Sequence, residues 1–218
     1  MKKKAITYEL ELPELQLDEV QVMFWHTYYS NFQFVRYLNL LYRWSFIRED
    51  DLTVFTRSNN SDTQVRYPCF SYYDEEHRLL YYVVEQPSGG QLMMPSSGNK
   101  WDVLSQYDKI IFIVGCAMEK QCQQMYEDFQ SAHSSAPEDE PSQVEWKALW
   151  REFADNGVSE VEYMNLSETG EFDATFMVNY SGLKESDIQK IKTLAESRMN
   201  LILSELALRI VERMCDCE

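Results

Sequence analysis

The stretch from Tyr67 to Gln86, YPCFSYYDEEHRLLYYVVEQ, admits few folds, because two runs rich in aromatic and aliphatic residues are separated by a short charged break at Asp74–His77. Ringed and branched side chains pack well on a pleated surface, so each run reads as a strand and the break as a turn. With Asp74–His77 as a four-residue hairpin loop, Tyr72 lies opposite Leu79 and Phe70 opposite Tyr81. Phe70, Tyr72, Leu79, Tyr81 and Val83 then share one face, and Ser71, Tyr73, Leu80, Tyr82 and Val84 the other. Cross-strand aromatic pairs stabilise a sheet by ~0.2–1 kcal/mol each, and a packed core face is a commoner fate for such rings than a ligand cage.

Other strands and helices follow from the period of the apolar residues. Residues 5–12, AITYELEL, alternate apolar and polar as a half-buried strand does, and Pro13 stops it. After the aromatic stretch VMFWHTYY, Ser30 or Asn31 can cap a helix whose Phe34, Val35, Leu38, Leu41 and Tyr42 recur at helical spacing, ending near Trp44. FIREDDLTVF reads as a strand or hairpin interrupted at Glu49–Asp51, and Thr56–Thr63 as an exposed loop. Pro87–Lys100 reads as a long, mobile loop, and Lys109–Val114, with its unbroken IIFIV, as a central strand covered on both faces. Ala117–Gln130 can form a helix presenting Met118, Cys122, Met125 and Phe129.

Residues 131–142, SAHSSAPEDEPS, are small, polar and acidic with two prolines, and read as a linker between a first domain, 1–130, and a second segment, 143–218. In that segment Val144–Asn156 is helical by the spacing of Trp146, Leu149, Trp150 and Phe153, with Gly157 as its stop. Val158–Leu166 and Phe172–Tyr180 form a hairpin around Ser167–Glu171. Ser186 with Gln189 is a capping-box pair that opens a helix over Asp187–Met214, about 42 Å long at ~1.5 Å per residue. The expected fold class is α+β: a mainly antiparallel sheet with packed helices, then a hairpin and a long C-terminal helix.

Composition sets the chemical limits. Thirty-six acidic against 20 basic residues give a formal charge of −16, which repels phosphate backbones and anionic lipid surfaces, so direct nucleic-acid binding is not expected. Apolar runs such as Ile110–Val114 are far too short to cross a bilayer core of ~30 Å. Five cysteines are an odd number in a chain too long to need a disulfide framework, and MKKKAITYELELPELQ has a basic tip without an apolar core, which favours reduced thiols in the cytoplasm.

A search for catalytic patterns returns little. Seven glycines include neither G-x-x-x-x-G-K-[ST] nor G-x-G-x-x-G, the spacings that aim backbone N–H groups at phosphate, and no G-x-S-x-G or H-E-x-x-H occurs. Cys215 and Cys217 close the chain without a second ligand pair, and Cys122 reads as a small buried apolar residue. His26 beside Trp25 and Tyr28 could act as a general base, although a satisfied structural histidine is the commoner case. Adjacent acids such as Asp50-Asp51 and Asp74-Glu75-Glu76 usually mark solvated turns. No catalytic residue, cofactor or metal is therefore assigned.

The order FVRYLN on a helix, then IREDDL, then FSYYDEEHRLLYYVV, then the apolar strand YDKIIFIVG resembles the IPExxxDY family, small uncharacterised proteins of Bacteroidetes, over about residues 5–115. The name-giving motif is degenerate here: Met93-Met94-Pro95-Ser96 stands in its place, and Tyr107-Asp108 is inverted. The resemblance implies a cytoplasmic α+β domain in a bacterial setting, and it assigns no catalytic residue.

The leading expectation is a non-enzymatic cytoplasmic protein acting as an interaction or adaptor module. Its contacts with a protein partner or a second copy would run through the C-terminal helix at Ile202, Leu206, Ile210 and Met214, with Trp146 and Trp150 as aromatic anchors. Intramolecular packing of the same residues is the alternative. Two further classes remain: a small-molecule enzyme with a pocket between the aromatic hairpin and the Pro87–Lys100 loop, and an acidic mimic that occupies a basic nucleic-acid-binding surface.

Overall fold

Alternation, capping and turn chemistry together build one six-stranded antiparallel sheet. The computed structural model describes residues 20–58, 61–85, 108–115, 118–131, 141–164, 184–186, 189, 193 and 200–210, and their fold is α+β. In chain order the elements are β1 (Val20–Thr27), α1 (Asn31–Tyr42), β2 (Ile47–Ser58), β3 (Ser61–Asp74), β4 (Leu79–Glu85), β5 (Lys109–Val114), α2 (Met118–Ser131), α3 (Pro141–Gly157), β6 (Val158–Met164) and a final helix α4 (200–210). The sheet order is β2-β3-β4-β5-β1-β6.

Helix α1 starts where a capping box places it. Ser30 is extended, its Oγ accepts from Gln33 N, and Gln33 Oε1 accepts from Ser30 N at 3.1 Å, so two orphan donors are satisfied reciprocally. It ends at Arg43, which takes the left-handed conformation at φ 58°.

The aromatic hairpin forms with its loop one residue later than the sequence reading placed it. Tyr72 pairs with Tyr81, Phe70 with Val83 and Asp74 with Leu79. The cause is local: Asp74 Oδ1 accepts from the backbone N–H groups of Glu76 and His77 at 3.0 and 3.1 Å, which makes Asp74 the last strand residue, and Arg78 closes the loop at φ 54°. Pairing slips by two residues, so every side chain keeps its expected face. Gly115, at φ +137°, lies against this turn, where a Cβ would meet the Arg78 carbonyl oxygen at 2.5 Å.

Thr56–Thr63 is corrected from loop to hairpin. β2 and β3 pair out to Ser58 with Ser61, and Leu52–Arg57 are continuous strand partners of Asp62–Tyr67, so backbone pairing overrides the polar composition. A register shift between Glu49 and Leu52 marks the interruption foreseen at the acidic run.

A boundary at 131–142 does not separate two cores. α2 extends to Ser131 and α3 begins at Pro141, a residue suited to the first helical position because it has no N–H to leave unpaired. Beyond it, β6 pairs along β1, and Trp150 and Phe153 of α3 join the cluster that holds Trp25 and Phe34. Ser186 is already helical, as are 185, 189, 193 and 200–210, so the helix begins before the serine expected to cap it. The expected strand at 5–12, the Pro87–Lys100 loop and the strand at Phe172–Tyr180 lie outside the described residues.

Both faces of the sheet are buried. Toward α1, α2 and α3 it presents Met23, Trp25, Phe70, Tyr81, Val83, Ile111, Ile113 and Val161, packed with Phe34, Leu38, Cys122, Met125, Trp150 and Phe153. Alternation puts Val22, Phe24, Tyr67, Tyr82, Val84, Ile110 and Phe112 on the opposite face, where they too are buried. Ile202, Leu203, Leu206 and Ala207 of α4 are buried within the same chain, and Arg209 donates to the carbonyls of Asp50 and Asp51 at 2.7 and 2.9 Å, tying α4 to edge strand β2.

Candidate functional site: an open groove beside α1

Two of the chain's exposed large apolar side chains lie on one stripe of α1. Phe32 and Leu40 stand eight residues apart with Arg36 midway, so the three line up along the helix, opposite the stripe of Phe34, Val35, Leu38 and Leu41 that enters the core. Phe32 is 71% exposed and Leu40 51%. Ile47, at the start of β2, is exposed nearby in the sequence.

The turn after α1 makes the second wall. Asn39 Oδ1 accepts from Phe46 N at 3.0 Å, which fixes the return of the chain from helix to strand and places Phe46 and Arg48 beside α1. Arg48 lies 5.4 Å over the Phe70 ring, donates to Cys69 O at 2.9 Å and to Glu49 O, and pairs with Asp51. Phe32 meets Phe70 edge to face at 5.5 Å. Between these walls runs a groove of about 370 Å³, open to solvent, with Val35, Phe46 and Phe70 as its apolar floor.

Its electrostatics oppose those of the chain. In a protein of charge −16, the described residues lining the groove include Arg36 and Arg48 and no carboxylate. The Arg48 guanidinium is held by its intramolecular partners, whereas Arg36 makes no hydrogen bond or ion pair with a described residue. The groove thus offers apolar surface with a cation between two exposed apolar side chains.

Other polar clusters are structural. Lys109 is buried and pairs with Glu85 at 3.1 Å and with Asp108; Asp108 also accepts from Thr27 N at 2.7 Å and donates its own N–H to Trp25 O, so the cluster ties β5 to β1. Asp128 accepts from Tyr42 Oη at 3.1 Å and Gln124 Nε2 at 2.8 Å, joining α2 to α1. Burial pushes the Asp128 carboxyl up, more than these two hydrogen bonds lower it, and burial likewise raises Tyr42 and Cys122. His26 Nδ1 lies 2.5 Å from Ser159 Oγ. This pair is on the solvent side of the β1–β6 edge, and no described carboxylate hydrogen-bonds His26, so it lacks the orienting group that a nucleophile and base require. Among the described residues no three His, Cys, Asp or Glu side chains gather as metal ligands.

The expected contact residues fall mostly inside the molecule. Trp150, Ile202 and Leu206, read as interface contacts with intramolecular packing as the alternative, are fully buried in the isolated chain, covered by the protein's own elements. Trp146 is half-buried, donating Nε1–H to Leu41 O at 3.0 Å and meeting Trp150 at 5.9 Å, so it bolts α3 to the end of α1. Ile210 is half-buried, and Met214 lies outside the described residues. The Phe32, Arg36, Leu40 stripe was the missed signal, visible as a second helical row on the side of α1 away from the core row.

Comparison of the chain with protein-family models, with curated proteins and with solved structures finds no match. Among the described residues no helix is long and apolar enough to cross a membrane.

Proposed function

We propose that this chain acts through protein–protein contact and receives its partner in the groove between α1 and the β2–β3 end of the sheet. The observation that carries the reading is the exposure of Phe32 and Leu40 on the rim of an apolar groove, while the row of Ile202, Leu203, Leu206 and Ala207 on α4 is covered. Clustered apolar exposure beside a groove favours an interaction surface. An open trough suits a macromolecular segment better than a small substrate, since small-ligand pockets bury ~70–90% of what they bind. A non-enzymatic adaptor in the cytoplasm is the accompanying proposal, supported by the burial of Cys69 and Cys122, neither of them in a disulfide, and by the scattered placement of the polar clusters. Kinship with the IPExxxDY proteins belongs to the same proposal and rests on the order of elements from α1 to β5.

Photo-crosslinking in the source cells tests the groove. A photoreactive residue at position 32 or 40 is expected to give a discrete protein adduct, one at Lys120 on the exposed side of α2 none, and Leu40→Glu to abolish the adduct formed from position 32. No adduct from the groove, or the same adducts from position 120, would remove the reading.

A further inference from the structure

Resting on the docking reading above, we propose that the groove's occupant is a segment of another protein bearing apolar side chains flanked by carboxylates, and that Arg36 recognises those carboxylates.

Charge complementarity carries the argument. The chain is acidic overall, yet the described residues that line the groove carry guanidinium groups and no carboxylate; Asp51 offsets Arg48, and Arg36 leaves a positive group beside the open apolar surface. Arg48 is not the main reader, because its Nη1 is taken by the Cys69 and Glu49 carbonyls and its charge is paired with Asp51. Arg36 has no such partner among the described residues and sits one helical turn from both Phe32 and Leu40. A planar guanidinium there can take a carboxylate in a bidentate pair while the flanking side chains take apolar groups.

The same geometry argues against a second copy as occupant. Antiparallel, two-fold pairing of the Phe32, Arg36, Leu40 stripe on itself brings Arg36 against its own mate, because the arginine is at the centre of the stripe. The chain's net charge repels an acidic ligand at long range, but screening over ~8 Å at physiological salt confines recognition to the groups in contact. The occupant's acids are therefore expected beside its apolar residues, with few elsewhere.

The test is a random dodecapeptide library displayed on phage and panned on the full chain at ~0.15 M salt. Phe32, Arg36 and Leu40 are exposed, so variants at these positions keep the fold. Enriched peptides are expected to pair apolar residues with Asp or Glu. Arg36→Glu should weaken them at least ~10-fold, Arg36→Lys should fall between wild type and Arg36→Glu because it keeps the charge and loses the bidentate fork, and acid-to-Lys peptides should recover binding to Arg36→Glu. Enriched peptides without acids, or affinities unmoved by Arg36→Glu but abolished by Leu40→Glu, overturn the acidic occupant and leave the docking reading intact. A wild-type mass by light scattering twice that of Leu40→Glu also overturns it, since the groove then holds a second copy. No enrichment, with a monomeric wild type, overturns both.

Discussion

Helices α1 and α4 carry comparable apolar rows and use them differently. In α4, Ile202, Leu203, Leu206 and Ala207 are all buried, and Arg209 fastens the helix to the edge of the sheet at Asp50 and Asp51. In α1 one row, Phe34, Val35, Leu38 and Leu41, enters the core, while Phe32 and Leu40 remain in solvent. The lesson is that an apolar row marks an interaction surface only when the protein's own elements leave it uncovered. Which rows are covered depends on where the sheet and its neighbouring helices fall.

The comparison breaks if the two rows respond alike to charge. Leu206→Glu places an unpaired carboxylate among buried apolar groups and should lower the stability of the isolated chain by several kcal/mol, enough to lose cooperative unfolding in a denaturant titration. Leu40→Glu, in the exposed row, should move it by no more than ~0.5 kcal/mol. Equal losses from both would mean that Leu40 is core. At the same scale as Leu206→Glu, Trp150→Ala should cost ~3–5 kcal/mol, because it empties the place where α3 meets Tyr42 of α1 and Phe129 of α2.

A smaller effect is expected where α3 ends. A Cβ at Gly157 would lie 2.1 Å from Cε2 of Tyr29, whose hydroxyl donates to Phe153 O at 3.1 Å and whose ring stacks on Phe153 at 5.5 Å. Gly157→Ala should destabilise by ~1–3 kcal/mol through overpacking, and Tyr29→Ala in the same chain should recover part of that loss. Additive losses on thermal unfolding would show that the contact is not the cause.

Two pH dependences are smaller again. Burial holds the Asp128 carboxyl above its ordinary value of 3.8, so the folded chain binds this proton more tightly than the unfolded one. Its contribution is greatest below pH 3.8 and falls as pH rises through the folded value; the stability difference between wild type and Asp128→Asn should decline across that window and then stay flat. For the loop pair, the Asp74 hydrogen bond raises His77 above 6.5, while at Asp74 partial burial acts upward and is outweighed by hydrogen bonds from His77 and Glu76, so its carboxyl falls below 3.8. The His77 contribution is complete below pH 6.5 and lost as pH rises through its folded value. That of Asp74 is complete above pH 3.8 and lost as pH falls through its folded value. His77→Ala should therefore show its small effect mainly between pH 3.8 and 6.5, and an effect constant with pH would rule out the ion pair as its source.

Much of the architecture was legible before any coordinates. Face assignments in the aromatic hairpin survived a change of register because a two-residue slip preserves the pleat, and the IIFIV strand took the central place its unbroken apolar run implied. The hairpin over β2 and β3 was not legible, since Thr56–Thr63 is polar and its strand character comes from cross-strand pairing. Nor was the groove, because Phe46, Arg48 and Phe70 reach α1 only through the turn set by Asn39 and the edge-to-face contact of Phe32 with Phe70.

The sequence by itself determined, for the segments with a clear apolar period, whether they were strands or helices and which face was apolar, and that the whole chain would be acidic; periodicity and composition are local properties and need no neighbour. Tertiary structure decided that β6 joins the sheet beside β1, that α3 packs into the same core, and that Leu206 is interior while Leu40 is not. It also decided that Arg36 stands where carboxylates are absent from the groove lining. Burial and local field are sums over groups distant in the chain, and only folding brings those groups together.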